Sequence, residues 1–102
     1  MQLAIKDTST ATQICIEENI KSLSDNDTIK TAIEDAWNAH TDKPIEIHIK
    51  DSFIITSSVI GFLIKFIKKD KMPITLYIKN EELYDMMDDM NLIQALNIKK
   101  AI

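Results

Sequence analysis

The sequence predicts a single α/β domain in which short strands alternate with helices. Two observations support this fold class: segments in which every second residue is apolar take turns with segments whose apolar residues recur every three or four positions. The length sets the scale, since 102 residues are enough for one compact domain with its own hydrophobic core. We therefore expect residues 1–102 to form one domain.

Alternation of apolar and polar side chains marks the predicted strands. Four strands are predicted at residues 2–6, 12–16, 45–49 and 74–78, and residues 92–98 can form a short fifth one. The polar segment 7–10 between the first two strands indicates a β-hairpin. In the third strand, isoleucines alternate with Glu46 and His48, which is typical of a strand with one buried face, and residues 53–55 extend or follow it.

Three helices are predicted from the remaining periodic segments. They span residues 24–40, 57–69 and 81–90. Ser24 is the expected N-cap of the first helix, with Asp27 three residues later as a second capping group. Asn80 is the expected N-cap of the third helix, and Asn91 its left-handed terminator.

Composition excludes several functions. Sixteen acidic residues outnumber twelve basic ones, and the resulting net charge of −4 argues against a nucleic-acid partner. Gly61 is the one glycine, so neither a dinucleotide-binding motif nor a P-loop can be written. No apolar stretch approaches the roughly 20 residues of a membrane-spanning helix, and residues 1–6 lack the features of a signal peptide. We expect a cytoplasmic protein that does not insert into a membrane.

Residues that serve in catalysis or metal binding are sparse and scattered. Cys15 is the one cysteine, so it cannot form an internal disulfide and is interpreted as a small buried hydrophobe. His40 and His48 fall on different predicted elements, without a cysteine or carboxylate at zinc-ligand spacing. No serine is flanked by the glycines of a nucleophile elbow. We therefore predict a protein that is not an enzyme and holds no metal or cofactor.

The third predicted helix carries an acidic stripe, formed by Glu81, Glu82, Asp85, Asp88 and Asp89. Two interpretations stay open: the stripe is a solvated helix face, or it complements a basic surface on a partner.

The segment 45–64, IEIHIKDSFIITSSVIGFLI, resembles the STAS family, which is named for sulfate transporters and anti-sigma factor antagonists. In that family an alternating strand leads through a phenylalanine-containing loop into Asp-Ser-Ser-Gly-Leu-Gly and then into an apolar helix. The corresponding segment here is TSSVIG at 56–61. It keeps the two adjacent serines and the second glycine, Gly61, but has Thr56 in place of the acidic residue and Val59 in place of the first glycine.

This resemblance covers most of the chain, since it continues through residues 62–69, 74–78 and 90–92. It implies a STAS-like single domain with a mixed sheet of four to five strands and about three helices packed mainly on one face. It also implies a protein-binding regulator that resembles an anti-sigma factor antagonist, or anti-anti-sigma factor, acting in transcription regulation.

The resemblance makes Ser58 the candidate phosphorylation site. In the family, the antagonist uses its second helix to bind an anti-sigma factor that is also a serine kinase. This kinase phosphorylates the second hydroxyl of the signature, and the phosphorylation inactivates the antagonist. A phosphate is tolerated there because a helix N-terminus offers unpaired N–H groups and the positive end of the helix dipole. The alternative is that Ser57 and Ser58 only cap the helix.

A second function is compatible with the same resemblance: a constitutive STAS adaptor subunit that docks on the cytoplasmic ATPase of a membrane transporter. Thr56 and Val59 favour it, because an adaptor needs no kinase recognition sequence. The candidate partner-binding residues are the same for both functions: Thr56, Ser57, Ser58, Gly61, Phe62, Lys65 and Phe66.

The second helix shows two apolar stripes. Ile60, Leu63, Ile64 and Ile67 form the stripe expected to face the sheet. Phe62 and Phe66 belong to the other stripe, and we predict that they form part of an exposed patch for a partner. The alternative is that the third helix covers both rings.

Overall fold

The fold is α/β, with a five-stranded mixed sheet and three helices, as the sequence predicts. A computed structural model describes residues 1–101. The strands are β1 (Gln2–Asp7), β2 (Thr12–Glu17), β3 (Ile45–Ile49), β4 (Ile74–Ile78) and β5 (Ile98–Lys100). The helices are α1 (Leu23–Ala39), α2 (Ser57–Ile64), which continues as a π-helical turn over Lys65–Lys69, and α3 (Glu81–Asp89).

The strands lie side by side in chain order, β1-β2-β3-β4-β5. β1 and β2 form the predicted antiparallel hairpin, whereas every later pair of neighbouring strands is parallel. Each parallel step therefore contains one helix. The three crossover connections have the same handedness and all advance in the same direction across the sheet. Such connections place their helices on the same side of a sheet, so α1, α2 and α3 share a face.

Burial along the strands follows from this one-sided arrangement. In β3, Ile45, Ile47 and Ile49 are buried beneath the helices, whereas Glu46 and His48 on the opposite face are half-buried. The same alternation recurs in β4. The hydrophobic core is therefore a single layer between the helices and one face of the sheet.

The opposite face of the sheet has no helix over it and carries a polar row. Cys15, His48 and Tyr77 are neighbours across β2, β3 and β4, and the His48 ring stacks on Tyr77 with centroids 4.7 Å apart. Glu46 Oε1 lies 3.0 Å from His48 Nε2 and accepts a hydrogen bond from the Gln13 side chain. The expectation of a buried Cys15 is wrong, because its strand position places the thiol on this open face, where it is half-buried.

The start of α1 differs from the prediction. Ser22, not Ser24, is the N-cap: its Oγ accepts a hydrogen bond from Asp25 N–H at 3.0 Å. Both serines precede an aspartate by three residues, so spacing alone does not distinguish them. The capping predictions for α3 are confirmed, since Asn80 accepts from Leu83 N–H and Asn91 has a φ of 59°.

The last strand also differs from its predicted position. Residues 92–97 form turns, and β5 begins only at Ile98. Leu96 is fully buried, and Ile98 N–H donates to the Ile93 carbonyl across the turn. The apolar residues of this segment therefore pack a turn, and not a strand, against the core. The left-handed conformations of Asn91 and Asn97, at the two ends of the segment, interrupt an extended backbone.

None of the helices in residues 1–101 combines the length and the apolar character needed to cross a bilayer.

The N-cap assignment predicts different effects for two neighbouring serines. Ser22→Ala should lower the free energy of unfolding by about 1 kcal/mol, because the Asp25 N–H loses its acceptor. The matched control, Ser24→Ala, should stay within about 0.5 kcal/mol of the wild type, since Ser24 is exposed inside the first turn. Urea unfolding followed by circular dichroism measures both, and a larger loss for Ser24→Ala would contradict the assignment.

Candidate functional site

The candidate site lies at the carboxyl ends of the parallel strands, where two loops meet. The loop at 18–22 connects β2 to α1, and the loop at 50–56 connects β3 to α2. Functional residues gather at this edge in α/β sheets because the loops that follow adjacent parallel strands converge there. Both the resemblance and the topology therefore direct attention to the same edge.

Hydrogen bonds join the two loops directly. Glu18 N–H donates to Asp51 Oδ1 at 2.7 Å, and Phe53 N–H donates to Asn19 Oδ1 at 3.1 Å. Ser52 is fully buried, and its hydroxyl donates to the Glu18 carbonyl. Glu18 itself has a φ of 68°, a left-handed conformation that brings its backbone groups to these partners. The two loops therefore form one connected surface.

The joined loops hold apolar side chains in solvent. Phe53 is 51% exposed and Ile54 is 42% exposed, beside a backbone hydrogen bond from Ile20 N–H to the Ile54 carbonyl. Leu23, the first residue of α1, is 78% exposed at the same edge. We call Leu23, Phe53 and Ile54 the apolar rim. Exposed apolar groups held together by a rigid scaffold are typical of protein contact sites.

The sequence pattern does not indicate the apolar rim. It predicts that residues 53–55 extend or follow β3, and in the structure the strand ends at Ile49 and these residues follow it in a loop. One sequence signal was available: Asp51 and Ser52 are both turn-forming residues, and they stand between the strand and the apolar run.

The N-terminus of α2 is capped by Thr56. Its Oγ1 accepts a hydrogen bond from Val59 N–H at 3.3 Å and donates one to Asn26 Oδ1 at 2.7 Å. Asn26 is a buried residue of α1, so this hydroxyl ties the beginning of α2 to the first turns of α1. Thr56 therefore has a structural role at the position where the STAS signature has an acidic residue.

Ser57 and Ser58 are the first two residues of α2 and not its caps. Both are exposed, and within residues 1–101 neither hydroxyl takes part in a hydrogen bond. This corrects the interpretation in which the two serines cap the helix, because Thr56 already fills that role. Ser58 therefore presents an accessible hydroxyl in the first turn of a helix, next to the positive end of its dipole.

One face of α2 is open along its length. Ser58, Gly61 and Lys65 follow each other at helical spacings of three and four, and all three are exposed. A Cβ added to Gly61 would meet no atom within 4 Å, so nothing in residues 1–101 requires glycine at this position. We call Ser57, Ser58, Gly61 and Lys65 the α2 face.

The predicted exposure of Phe66 is wrong. Phe66 is only 2% exposed and belongs to the hydrophobic core, whereas Phe62 is half-buried, with its ring centroid 5.7 Å from that of Phe66. The buried side of α2 runs through Val59, Ile60, Leu63 and Phe66, between the two stripes expected from the sequence. The burial of Phe66 agrees with the alternative in which the rings are covered, and its coverage by the third helix stays a prediction.

Charges of both signs surround the site. Glu18 and Asp51 line a shallow concavity of about 260 Å³ together with Lys21 and Phe53. The pKa of the nearby Asp25 carboxyl is lowered because it accepts a hydrogen bond from the Lys21 backbone N–H, with a further contribution from Ser22. The lowered pKa keeps the Asp25 carboxyl ionised at neutral pH, two residues along α1 from Leu23 of the apolar rim.

The other candidate groups lie away from this edge. His40 Nε2 lies 3.3 Å from Asp7 Oδ2, near the hairpin turn at the opposite end of β2, and His48 is on the open face of the sheet. Across residues 1–101, no group of three or more His, Cys, Asp or Glu side chains could hold a metal ion. The acidic residues of α3 are all exposed, which agrees with a solvated face and leaves the partner interpretation untested.

In comparisons with known proteins, no family model matches this sequence, and no curated protein matches it significantly.

The double role of Thr56 predicts a specific loss of stability. Thr56→Ala removes the α2 cap and leaves Asn26 Oδ1 without its donor, so the free energy of unfolding should fall by about 1–3 kcal/mol. Thr56→Ser keeps the hydroxyl and should lose less than half as much. Chemical denaturation of the three proteins tests this, and equal losses for both variants would show that the hydroxyl is not the stabilising group.

Proposed function

We propose that this protein is a cytoplasmic protein-binding regulator that resembles an anti-sigma factor antagonist, and that it binds a kinase or anti-sigma partner through the α2 face and the apolar rim. The observation that carries the proposal is the placement of Ser58. Its hydroxyl is exposed and unbonded within the described chain, and it stands at the edge where Phe53 and Ile54 are also exposed. A regulatory hydroxyl needs this combination of access for a kinase and proximity to a contact surface.

Phosphorylation of Ser58 would act as a switch without refolding the domain. A phosphate adds about −1.5 to −2 charges at pH 7, and the first turn of α2 tolerates it because of the N–H groups and the helix dipole. The neighbouring loops carry Glu18 and Asp51 beside Lys21, so the added charge makes this edge more negative. An apolar partner patch would then meet a desolvation penalty and dissociate.

The side chains on this surface indicate which groups a complementary partner would present. The apolar rim favours an apolar centre on the partner, and the carboxylates beside it favour a basic margin around that centre. Lys65 lies at the far end of the α2 face and favours an acidic group there.

One observation supports the alternative, a constitutive STAS adaptor that docks on the ATPase of a membrane transporter. Thr56 is engaged in capping α2 and in binding Asn26, so this position lacks the acidic residue of the switched family members for a structural reason. An adaptor would use the same α2 face and apolar rim, and Ser58 would stay unmodified.

Affinity capture from the native lysate distinguishes the two functions through the identity of the bound protein. A histidine-kinase-like serine kinase supports the regulator, and a transport ATPase supports the adaptor. Phe53→Ser combined with Ile54→Ser should reduce capture about tenfold or more, because contacts at the centre of an interface carry most of its energy. Met90→Ser, at the exposed C-cap residue of α3, is the matched control and should leave capture unchanged.

The switch is tested separately with the captured partner. Ser58→Glu should weaken binding while Ser58→Ala preserves it, and incubation with the kinase and ATP should phosphorylate Ser58, as seen by mass spectrometry. Equal binding of both variants, with Ser58 unmodified while a known substrate is phosphorylated, would reject the switch.

A further prediction concerns Gly61. Gly61→Ala should raise the free energy of unfolding by about 0.5–1 kcal/mol, because alanine favours the helix and its methyl group meets no neighbour. The same methyl group would keep a closely packed partner away from the α2 face, so partner affinity should fall although stability rises. Isothermal titration calorimetry and thermal unfolding measure the two effects, and unchanged affinity would place the contact elsewhere.

A further inference from the structure

The two edges of the sheet differ in how they are protected. β5 is only three residues long and carries two exposed lysines, which are common devices against strand pairing. β1 is six residues long, contains no proline and exposes Ile5 by 52%. A long edge strand with an exposed apolar residue is a template for pairing with another strand.

The outward backbone groups of β1 can be assigned from its neighbours. Thr8 N–H donates to the Ala11 carbonyl, and hydrogen-bonded pairs alternate along an antiparallel ladder. The residues opposite Leu3 and Asp7 are Ile16 and Thr12, whose backbone groups bond on the β3 side instead, Ile16 through its C=O and Thr12 through its N–H. The odd-numbered residues of β1, Leu3, Ile5 and Asp7, therefore direct their N–H and C=O groups away from the sheet.

We propose that this edge binds the β1 strand of a second copy of this chain, forming a dimer with a continuous ten-stranded sheet. The sequence of β1 is complementary to itself in one antiparallel register: Leu3 faces Ile5 of the second copy, Ala4 faces itself, and Gln2 faces Lys6. This register pairs apolar with apolar twice on the helix side of the sheet and keeps like charges apart.

Neighbouring registers are worse for stated reasons. Opposite residues must share a face, so the pairing can shift only in steps that keep odd residues opposite odd ones. One such step places Ile5 opposite itself but Leu3 opposite Asp7, next to a carboxylate, and a second step in that direction places Lys6 opposite itself. A step in the other direction pairs only residues 2–4 of β1, three residues instead of the five paired in the proposed register. A different partner would have to supply the same alternation of apolar and polar groups, which a second copy provides by symmetry.

The dimer leaves the candidate site free. A twofold axis through Ala4 runs perpendicular to the sheet, so the parallel strands of the two copies point in opposite directions. The two α2 faces then lie at opposite ends of the assembly, and each can bind a partner. The dimer does not rest on the proposed function, and either one can fail without the other.

Disulfide trapping tests the register. Cys15 lies opposite Ala4 within the hairpin, so the experiment uses a Cys15→Ser background. In that background Ala4→Cys should form a disulfide-linked dimer on mild oxidation, because the two Ala4 residues form a non-hydrogen-bonded pair with Cα atoms about 4.5 Å apart. Lys6→Cys is the matched control on the same strand and face, and it should remain unlinked. No dimer with Ala4→Cys, or equal linkage with Lys6→Cys, would overturn the proposal.

Sedimentation velocity tests the unmodified chain. One pair of six-residue strands buries less than a standard interface of about 1,600 Å², so the dimer should be weak. The wild type should dimerise reversibly as its concentration is raised to about 1 mM. Ile5→Lys should raise the dissociation constant about tenfold or more, since it affects both Leu3 contacts. Met90, the C-cap residue of α3, is exposed to nearly the same degree as Ile5, so Met90→Lys is the matched control and should behave as the wild type. A chain that stays monomeric throughout this range would overturn the proposal.

Discussion

Three consecutive crossovers between neighbouring strands place every helix on one side of the sheet, and the remaining features depend on this constraint. A one-sided sheet buries only alternate residues of each strand, so isoleucine occupies every second position of β3. The constraint also leaves the opposite face to polar and aromatic side chains such as the stacked His48 and Tyr77. Because the strands lie in chain order without closing on themselves, two edges stay open, and the molecule has to protect them or use them.

The same topology brings the loops after β2 and β3 to one end of the sheet, where they join through Asp51, Ser52 and Asn19. These hydrogen bonds join the two loops into one surface, on which Phe53 and Ile54 stay exposed to solvent. At this end the helix dipole of α2, the hydroxyl of Ser58 and the apolar rim come within one surface. Binding and its control can therefore share one small area.

Structural demands also explain where this chain differs from the STAS signature that it resembles. Thr56 and Val59 stand where that signature has an acidic residue and its first glycine: Thr56 binds Asn26 of α1, and Val59 is buried against the core. Gly61 and Ser58, which agree with the signature, serve no packing purpose within the described residues. Ser58 and Gly61, whose presence the stability of the fold does not explain, are therefore the residues that contact a partner in the proposed function.

The sequence by itself determined the element types, the hairpin, and the strands β3 and β4, because a period of two or of three to four residues survives in any tertiary arrangement. It also determined the ends of α3, where Asn80 and Asn91 act through local geometry. Only the tertiary structure decided that Phe66 is buried and Phe53 exposed. The rotation of α2 depends on the contact of Thr56 with Asn26, 30 residues away along the chain, and on the pairing of two separate loops. Contacts between residues so distant leave no periodic signal in the sequence.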